Sequence, residues 1–353
     1  EEEKKEEEEK MEREGKKKKT RKPRITAPQT GPLTAGDSDN TDGLRLAKVT
    51  RRAILKGHTS SVRGILYYER EGKGYVASCS YDKNVKIWDI ETRREMTTLK
   101  GHTGCVNALV HYKIGGTSFL ATGANDQCII LWDLDNRRTK RLTGHTSDVR
   151  ALAVVNMPNG EGYLASGSAD NSIIIWDLRT MTPKTTLNAH ISYVYALTAF
   201  TCGRTPILAS GGNDNKIILW DMNKMEIFTS FTAHPRYVWS LINFQIDGKY
   251  YIASGSADKT IKLWQLGSKH NPVQTFEGHT GVVNALRFFM QDGVPLLVSG
   301  DSNGLLQFRD LNENRLLTSV EYHPSAITGL TTFVNEKSYL AIGHYSEIEL
   351  WSE

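Results

Sequence analysis

The 353-residue sequence lacks several features that would point to particular classes of protein. No apolar run approaches the roughly 20 residues that a membrane-spanning helix needs, so we expect no contact with a membrane. There is no Asn-x-Ser/Thr sequon and neither a CxxC pair nor a zinc-ligand spacing. These absences favour an intracellular protein of the cytoplasm or nucleus, with no metal site and no cofactor. The four cysteines are Cys79, Cys105, Cys128 and Cys202.

The first 43 residues differ in composition from the rest of the chain. Glu1–Glu14 is a glutamate-rich run interrupted by lysines, and Lys16–Arg24 is a basic block. Residues 25–43 are rich in Pro, Gly, Thr and Asp and hold few apolar groups, so they cannot bury enough surface to offset the entropy of ordering. We therefore expect residues 1–43 to be a disordered charged tail and linker. The basic block is a candidate nuclear localisation signal or nucleic-acid contact.

From about residue 44 the sequence repeats itself. A Gly-His or Ala-His pair, with one Tyr-His variant, recurs at intervals of 43 to 45 residues, and a tryptophan closes six of the seven units. Arg309 stands where the sixth unit should have its tryptophan. The recurring histidines are His58, His102, His145, His190, His234, His279 and His323. The closing tryptophans are Trp88, Trp132, Trp176, Trp220, Trp264 and Trp351.

Each unit also carries the pattern of β-strands. A β-branched residue is followed two positions later by a small residue, as with Val62 and Gly64, which suits a crowded inner strand. Nearer the end of each unit, apolar residues lie one and three positions before the tryptophan, as Leu263 and Ile261 do before Trp264. A period of two is typical of a strand whose alternate side chains are buried. The sequence therefore predicts an all-β domain built from seven similar units.

A period near 44 residues with these end marks resembles the WD repeat, over about 310 of the 353 residues. The resemblance implies four strands per repeat and hence a seven-bladed β-propeller spanning residues 44–353. In this family the segment before each Gly-His is the outer strand of the preceding blade. Residues 48–55 have no preceding blade, so we expect them to pair with blade seven and close the ring, which removes an open sheet edge.

His, Ser or Thr, Asp and Trp recur together in the first five repeats. A Ser–His–Asp set suggests a hydrolase, but nucleophilic catalysis needs one such set in a pocket with an oxyanion site. Five copies favour an architectural role, and the family resemblance implies a hydrogen-bonded network within each blade, so we expect no enzyme. The five sets, called tetrads below, are His58, Ser78, Asp82, Trp88; His102, Thr122, Asp126, Trp132; His145, Ser166, Asp170, Trp176; His190, Ser210, Asp214, Trp220; and His234, Ser254, Asp258, Trp264.

Repeats 6 and 7 depart from the tetrad pattern. We expect these two blades to be held less firmly than the first five, because a buried polar network stabilises only when its members are satisfied. The residues at the four positions are His279, Ser299, Asn303 and Arg309 in repeat 6, and His323, Ile342, Tyr345 or Ser346, and Trp351 in repeat 7.

The family resemblance also implies a binding face, lined by the residues on either side of the inner-strand valine and by the residue before the tetrad Asp. Aromatic residues at these positions concentrate on repeats 4 and 5, and Tyr, Trp and Arg dominate binding hot spots. The alternative is that these rings only pack against one another around the channel. A methyl-lysine cage is disfavoured because no acidic residue lies within the cluster. The predicted partner-binding residues are Tyr193, Tyr195, Tyr237, Trp239, Arg150, Arg63, Tyr81, Asn107 and Asn284.

Two weaker signals keep other functions open. Leu164–Arg179 matches a box by which some WD-repeat proteins dock on a cullin–RING ligase adaptor, which would make Arg179 a docking residue and the protein a substrate receptor. The basic block Lys16–Arg24 would suit a ribonucleoprotein or ribosome-biogenesis component. The favoured function is a non-catalytic scaffold or adaptor that binds a protein or peptide partner. We expect a monomeric propeller within a larger complex or a longer chain.

Overall fold

The regular secondary structure in the computed structural model is entirely β-strand over the residues it describes, which are 50–268, 270–321, 325–335 and 337–352. These strands form seven antiparallel sheets of four strands each. No helix in this part of the chain could cross a membrane. The predicted tail of residues 1–43 and His323 lie outside the described residues.

Six of the sheets are each built from four consecutive strands, numbered here as blades 1 to 6. The first strand of each blade contacts the first strands of its two neighbours, so these strands line the centre of the ring. Blades 1 and 2 consist of β2 (Val62–Arg70), β3 (Lys73–Ser80), β4 (Val85–Asp89) and β5 (Arg94–Leu99), then β6 (Val106–Ile114), β7 (Thr117–Ala124), β8 (Cys128–Asp133) and β9 (Thr139–Thr143).

Blades 3 to 6 repeat this arrangement around the ring. Blades 3 and 4 consist of β10 (Val149–Asn156), β11 (Gly162–Ser168), β12 (Ser172–Asp177) and β13 (Thr182–Asn188), then β14 (Val194–Cys202), β15 (Thr205–Gly212), β16 (Lys216–Asp221) and β17 (Glu226–Thr232). Blades 5 and 6 consist of β18 (Val238–Ile246), β19 (Lys249–Ser256), β20 (Ile261–Gln265) and β21 (Gln274–Phe276), then β22 (Val283–Gln291), β23 (Val294–Asp301), β24 (Leu305–Asp310) and β25 (Arg315–Glu321).

Blade 7 combines strands from both ends of the domain. Its first three strands are β26 (Ile327–Asn335), β27 (Lys337–His344) and β28 (Glu347–Ser352), and its outer strand is β1 (Thr50–Lys56). β1 runs antiparallel to β28 and pairs Thr50 with Ser352 and Lys56 with Glu347. The prediction that an N-terminal strand closes the seven-bladed ring is therefore confirmed: the strand is Thr50–Lys56, and residues 48 and 49 of the predicted segment 48–55 lie outside the described residues.

The core lies between the blades. The β-branched residue that begins each inner strand is fully buried, with an exposed fraction of 0% for all seven of them. In several blades it packs directly on the backbone of a glycine in the second strand of the preceding blade. A Cβ placed on Gly167 would lie 2.6 Å from Cγ1 of Val194, and one on Gly211 would lie 2.6 Å from Cγ1 of Val238. Glycine is therefore required there because two blades approach more closely than any side chain would allow.

A chain that begins at residue 57 should unfold at a temperature lower by about 5 °C or more than one that begins at residue 44. Without β1, β28 becomes an open sheet edge, and Leu55, which is 1% exposed, is lost from the core it shares with Val62 and Ile348. Thermal unfolding followed by circular dichroism measures the difference. Equal midpoints would show that blade 7 does not need its fourth strand.

Candidate functional site

The five predicted tetrads form closed hydrogen-bond chains in blades 1 to 5. In blade 1 the Trp88 indole N–H donates to Ser78 Oγ at 2.8 Å, Ser78 lies 2.8 Å from His58 Nε2, and His58 Nδ1 lies 2.7 Å from Asp82 Oδ2. The same contacts recur in the other four blades at 2.7–3.0 Å. Each chain ties the loop before the inner strand to the second and third strands of its blade.

The charges within a tetrad are fixed by its surroundings. Burial would raise the pKa of Asp170, but hydrogen bonds from Ser172, the Thr146 backbone N–H and His145 outweigh burial and hold that pKa at about 2. Burial lowers the pKa of His58, with only partial compensation from Asp82. At neutral pH Asp170 is therefore ionised. His58 of blade 1 is neutral, so its Nδ1–H donates a hydrogen bond and its Nε2 accepts one.

The tetrad hydroxyls resemble catalytic nucleophiles only because each is hydrogen-bonded to a histidine that is paired with an Asp. The Ser or Thr of each tetrad has an exposed fraction of 0%, so a substrate cannot reach its oxygen. That oxygen also accepts a hydrogen bond from the tryptophan indole, as in Trp176 to Ser166 at 2.8 Å. The geometry therefore favours the architectural interpretation of the tetrads.

Blade 6 corrects one sequence assignment. The partner of His279 is Asp301, at 3.2 Å from Nδ1, and not Asn303, which lies two residues further on. The Asp301 carboxylate also accepts backbone N–H bonds from Thr280, Gly281, Asn303 and Leu305, and it is fully buried. These bonds and His279 outweigh burial and keep the pKa of Asp301 well below its usual range. Blades 1 to 5 have Ser, Ala or Gly at this position, so an acidic residue there was the missed signal.

Arg309 replaces the tryptophan of blade 6 with a different set of contacts. Its guanidinium donates to the Glu277 carbonyl at 2.5 Å and to Gln307 Oε1 at 2.9 Å, and lies over the Phe276 ring at 5.0 Å from the centroid. Burial lowers the pKa of Arg309. The arginine therefore connects the loop before the inner strand to the third strand, as the tryptophan does in other blades, but without donating to Ser299.

Blade 7 uses a carboxylate where the other blades use a hydroxyl. Ile342, fully buried, occupies the Ser position, and the Trp351 indole donates instead to Glu349 at 2.9 Å. Glu349 also pairs with Arg51 of the closing strand at 2.9 Å. Burial would raise the pKa of Glu349, but bonds from His344, Trp351 and Arg51 hold it at about 2. The residues that replace the tetrad in blade 7 therefore help to hold the closing strand β1 in the ring, a role that the sequence did not reveal.

A bulge at the start of each inner strand contains many of the residues predicted to line a binding face. In all seven blades the pairing of the first two strands skips the residue after the buried β-branched one. A bulged residue is released from the ladder, and bulges recur beside functional sites because they redirect a side chain. The seven bulged residues are Arg63, Asn107, Arg150, Tyr195, Trp239, Asn284 and Thr328.

Four predicted aromatic residues on blades 4 and 5 form one continuous cluster. The Tyr195 ring lies 4.5 Å from that of Trp239, 5.7 Å from that of Tyr237 and 6.1 Å from that of Tyr193, centroid to centroid. Tyr193 is 43% exposed and the other three are half-buried. The rings pack on one another, as the alternative interpretation held, and they also present an exposed aromatic edge. These four residues, with Arg63, are called the channel-mouth cluster below.

Arg63 joins this cluster from the other side of the ring. Although it belongs to blade 1, its guanidinium lies 5.7 Å from the centroid of Trp239 on blade 5 and 5.1 Å from that of Tyr81. Its Nε is buried without a hydrogen-bond partner among the described residues. Arg63 therefore reaches across the mouth of the channel and extends the aromatic surface with a cationic edge.

The remaining predicted contact residues differ in accessibility. Arg150 pairs with Asp148 at 2.6 Å, and Asn284 is half-buried. Asn107 is 9% exposed and its amide donates to the Val149 carbonyl of blade 3 at 2.9 Å. Asn107 therefore joins two blades and offers little surface, and its role in binding stays a prediction.

Arg179 lies in blade 3, far from the bulged ends of the inner strands that carry the channel-mouth cluster. Its side chain is exposed and lines a cleft of about 820 Å³ between blades 2 and 3, together with Tyr112, Asn156 and Asp177. Its role in docking to a ligase adaptor stays a prediction. The basic block Lys16–Arg24 lies outside the described residues.

A comparison of the chain with known protein families shows which family it belongs to. A model described as "WD domain, G-beta repeat" matches six segments, which together cover more than half of the chain: 49–89, 93–133, 136–177, 181–221, 225–265 and 270–310. The chain belongs to the WD-repeat family. The last three strands of the chain, β26 to β28 of blade 7, where the tetrad is replaced, lie beyond the six matched segments, and the chain matches no curated protein. WD-repeat propellers in general serve as scaffolds for protein interaction and are typically not enzymes.

Replacing Asp301 with Ala should destabilise the domain by about 1–3 kcal/mol, because His279 and four backbone N–H groups lose a buried acceptor. Asp170→Ala should cost a similar amount. Asn303→Ala should cost clearly less, since its exposed side chain makes one long bond of 3.3 Å to Thr280 Oγ1. Urea unfolding of the three variants gives the comparison, and a larger loss for Asn303→Ala than for Asp301→Ala would restore the sequence assignment.

The tetrad carboxylates should also make stability depend on acidity. The pKa values of Asp170 and Asp258 are about 2 in the folded chain, against 3.8 without the fold. Their contribution is therefore complete above pH 3.8 and is lost as the pH falls towards 2. In urea unfolding between pH 5 and pH 2, the double variant Asp170→Asn/Asp258→Asn should lose less stability than the unsubstituted chain. Parallel losses would show that these carboxylates are not stabilised by the fold.

Proposed function

We propose that this WD-repeat propeller is a non-catalytic scaffold or adaptor that holds a protein or peptide partner against its channel-mouth cluster. The observation that carries the proposal is the partly exposed aromatic cluster of Tyr193, Tyr195, Tyr237 and Trp239 on two adjacent blades. Large rigid rings with polar tips bury much area at little entropic cost, and they are the side chains on which protein interfaces most depend.

The electrostatics of the cluster support the same function. Burial raises the pKa of the Tyr195 hydroxyl, so this group stays protonated and available as a donor. Arg63 brings a guanidinium to one side of the rings, at 5.7 Å from the Trp239 centroid. A partner would therefore meet an aromatic surface bordered by donors, a combination that suits peptide carbonyl and carboxylate oxygens.

The fold separates this surface from the groups that maintain stability. The tetrads lie within the blades, whereas each cluster residue next to a buried valine is a bulged or loop residue. The polar sets that resemble hydrolase triads are sealed from solvent at their hydroxyls. These two features support recognition in place of catalysis as the function.

Trp239→Ala should weaken binding of the principal partner by about 2 kcal/mol or more while the domain stays folded. Affinity purification followed by mass spectrometry would identify partners lost from the variant, and titration of the main partner would then give its affinity. Thermal unfolding of the same sample checks that the blade is intact.

Tyr345→Ala is a matched control for this experiment. Tyr345 is also aromatic, is 64% exposed, and lies beside the start of β2, where its carbonyl accepts from Val62 N–H. Thr328, which lies across the ring, is unsuitable because its hydroxyl donates to the Val62 carbonyl and joins blades 7 and 1. Loss of the same partners from both variants, or from neither, would place the binding surface elsewhere.

A further inference from the structure

A groove of about 620 Å³ lies on the outer circumference of the ring between blades 1 and 2. Blade 1 contributes residues 96–100, which include most of β5, and blade 2 contributes the turn that leads into β9. β5 is the outermost strand of its sheet. The groove is therefore remote in the fold from the inner-strand bulges that form the channel-mouth cluster.

The carboxylates of this groove are already engaged. Asp135 pairs with Arg70 at 2.8 Å and accepts the Ser118 backbone N–H at 2.9 Å. Asp133 accepts backbone N–H bonds from Asp135 and Asn136 and a third bond from the Asn136 side chain. Both acids are thus held by the local turn and by the preceding blade. Burial would raise the pKa of Asp133, but the bonds from Asn136 and Asp135, followed by the charge of nearby Arg138, lower it.

Among the described residues, the cations that line the groove form no ion pair, with the exception of Arg70. Lys100, Arg137 and Arg138 are exposed and line the groove, and no ion pair involves them among the described residues. Two further exposed basic residues follow on β9: Lys140, and Arg141, which pairs with Asp126 at 3.5 Å and donates to the Gly101 carbonyl at 2.7 Å. Four basic residues therefore line the groove against two acids, which leaves it with a net positive charge.

Protection of an exposed sheet edge does not explain this charge. Charged side chains on outer strands do discourage edge-to-edge pairing. However, β17, the outer strand of blade 4, carries no basic residue and one acid, Glu226. In blade 6 the outer-strand Arg315 pairs with Glu313 at 3.1 Å. Outer strands in the same ring are thus maintained without an unpaired basic cluster, so blades 1 and 2 have a surplus of cations.

The floor of the groove is apolar. Met96 is 47% exposed, and it is the extra residue of a bulge in β5, because Trp88 pairs with Glu95 while Ile87 pairs with Thr97. Leu99 and Leu134 lie beside it and are half-buried. A flexible methionine at an exposed position is typical of a surface that accepts apolar side chains.

We propose that this groove binds an acidic peptide segment of a partner protein, with carboxylates on Lys100, Arg137 and Arg138 and an apolar side chain on Met96. Charge complementarity selects the acidic segment, since arginine pairs with carboxylates through two parallel N–H bonds. The apolar floor favours a peptide over a nucleic acid, whose phosphate backbone would leave it uncovered. The aromatic ring in the groove, Trp132, is 6% exposed and is not available to stack a base.

The test uses the full chain and fluorescein-labelled probes in anisotropy titrations. The probes are an eight-residue peptide of alternating glutamate and leucine, its glutamine–leucine counterpart, an octaglutamate and a twelve-nucleotide polyuridine. Arg137→Gln/Arg138→Gln should weaken the glutamate–leucine peptide about fivefold or more. The charge-matched control Lys224→Gln/Lys249→Gln removes two exposed cations from blades 4 and 5 and should change affinity less than about twofold. This comparison cancels the attraction of anions to the basic block Lys16–Arg24.

Met96→Ala separates a groove from a merely positive surface. It should weaken the glutamate–leucine peptide and leave octaglutamate unchanged. The proposal is overturned if the unsubstituted chain does not prefer the glutamate–leucine peptide to its glutamine counterpart, or if both double variants lose affinity alike. It is also overturned if Met96→Ala has no selective effect. A loss of polyuridine binding without a loss of peptide binding in Arg137→Gln/Arg138→Gln would assign the groove to nucleic acid instead.

Discussion

The ring depends on the packing of one branched side chain per blade against the backbone of the blade before it. Each of these side chains is wholly buried, and glycines such as Gly167 and Gly211 give it the space to approach. Tight contact between blades fixes the distance between inner strands, and hence the size of the ring. The polar tetrads work inside that frame, since they position a loop within each blade but do not join one blade to the next.

Because the branched side chain is held so firmly, the residue beside it is free to vary. The pairing of the first two strands skips this residue in every blade, so its side chain does not affect the hydrogen bonds between the strands. The same position therefore holds Arg63, Tyr195 and Trp239 around one channel mouth without altering the fold. Asn107 and Thr328 use this position to join two blades, whereas in blades 4 and 5 it is left to the proposed recognition, as expected where a rigid scaffold presents variable side chains.

The sequence was sufficient for the architecture and for five tetrads because both are repeated, and a repeated pattern reveals its spacing. It failed where a blade used a substitute. Asp301 could not be placed by spacing, since it reaches His279 from two residues earlier, and Glu349 acts through a strand almost 300 residues away. The contact of Arg63 with Trp239 was also beyond prediction, because it joins blades that are distant in the ring. A repeated pattern predicts the features that all blades share, but it gives no information about a contact that only one blade makes.

The pairing of β1 with β28 has a mechanical consequence. Thr50 lies opposite Ser352, so the two ends of the domain leave the ring from the same end of one strand pair. A force that separates these ends would load the hydrogen bonds of this ladder one after another, beginning at that pair, and not all together. The ring should therefore open at low force when it is pulled by its ends, although heat must disrupt all seven blades. A partner that grips both ends would lock the propeller, whereas one that pulls on a single end would begin to unzip it.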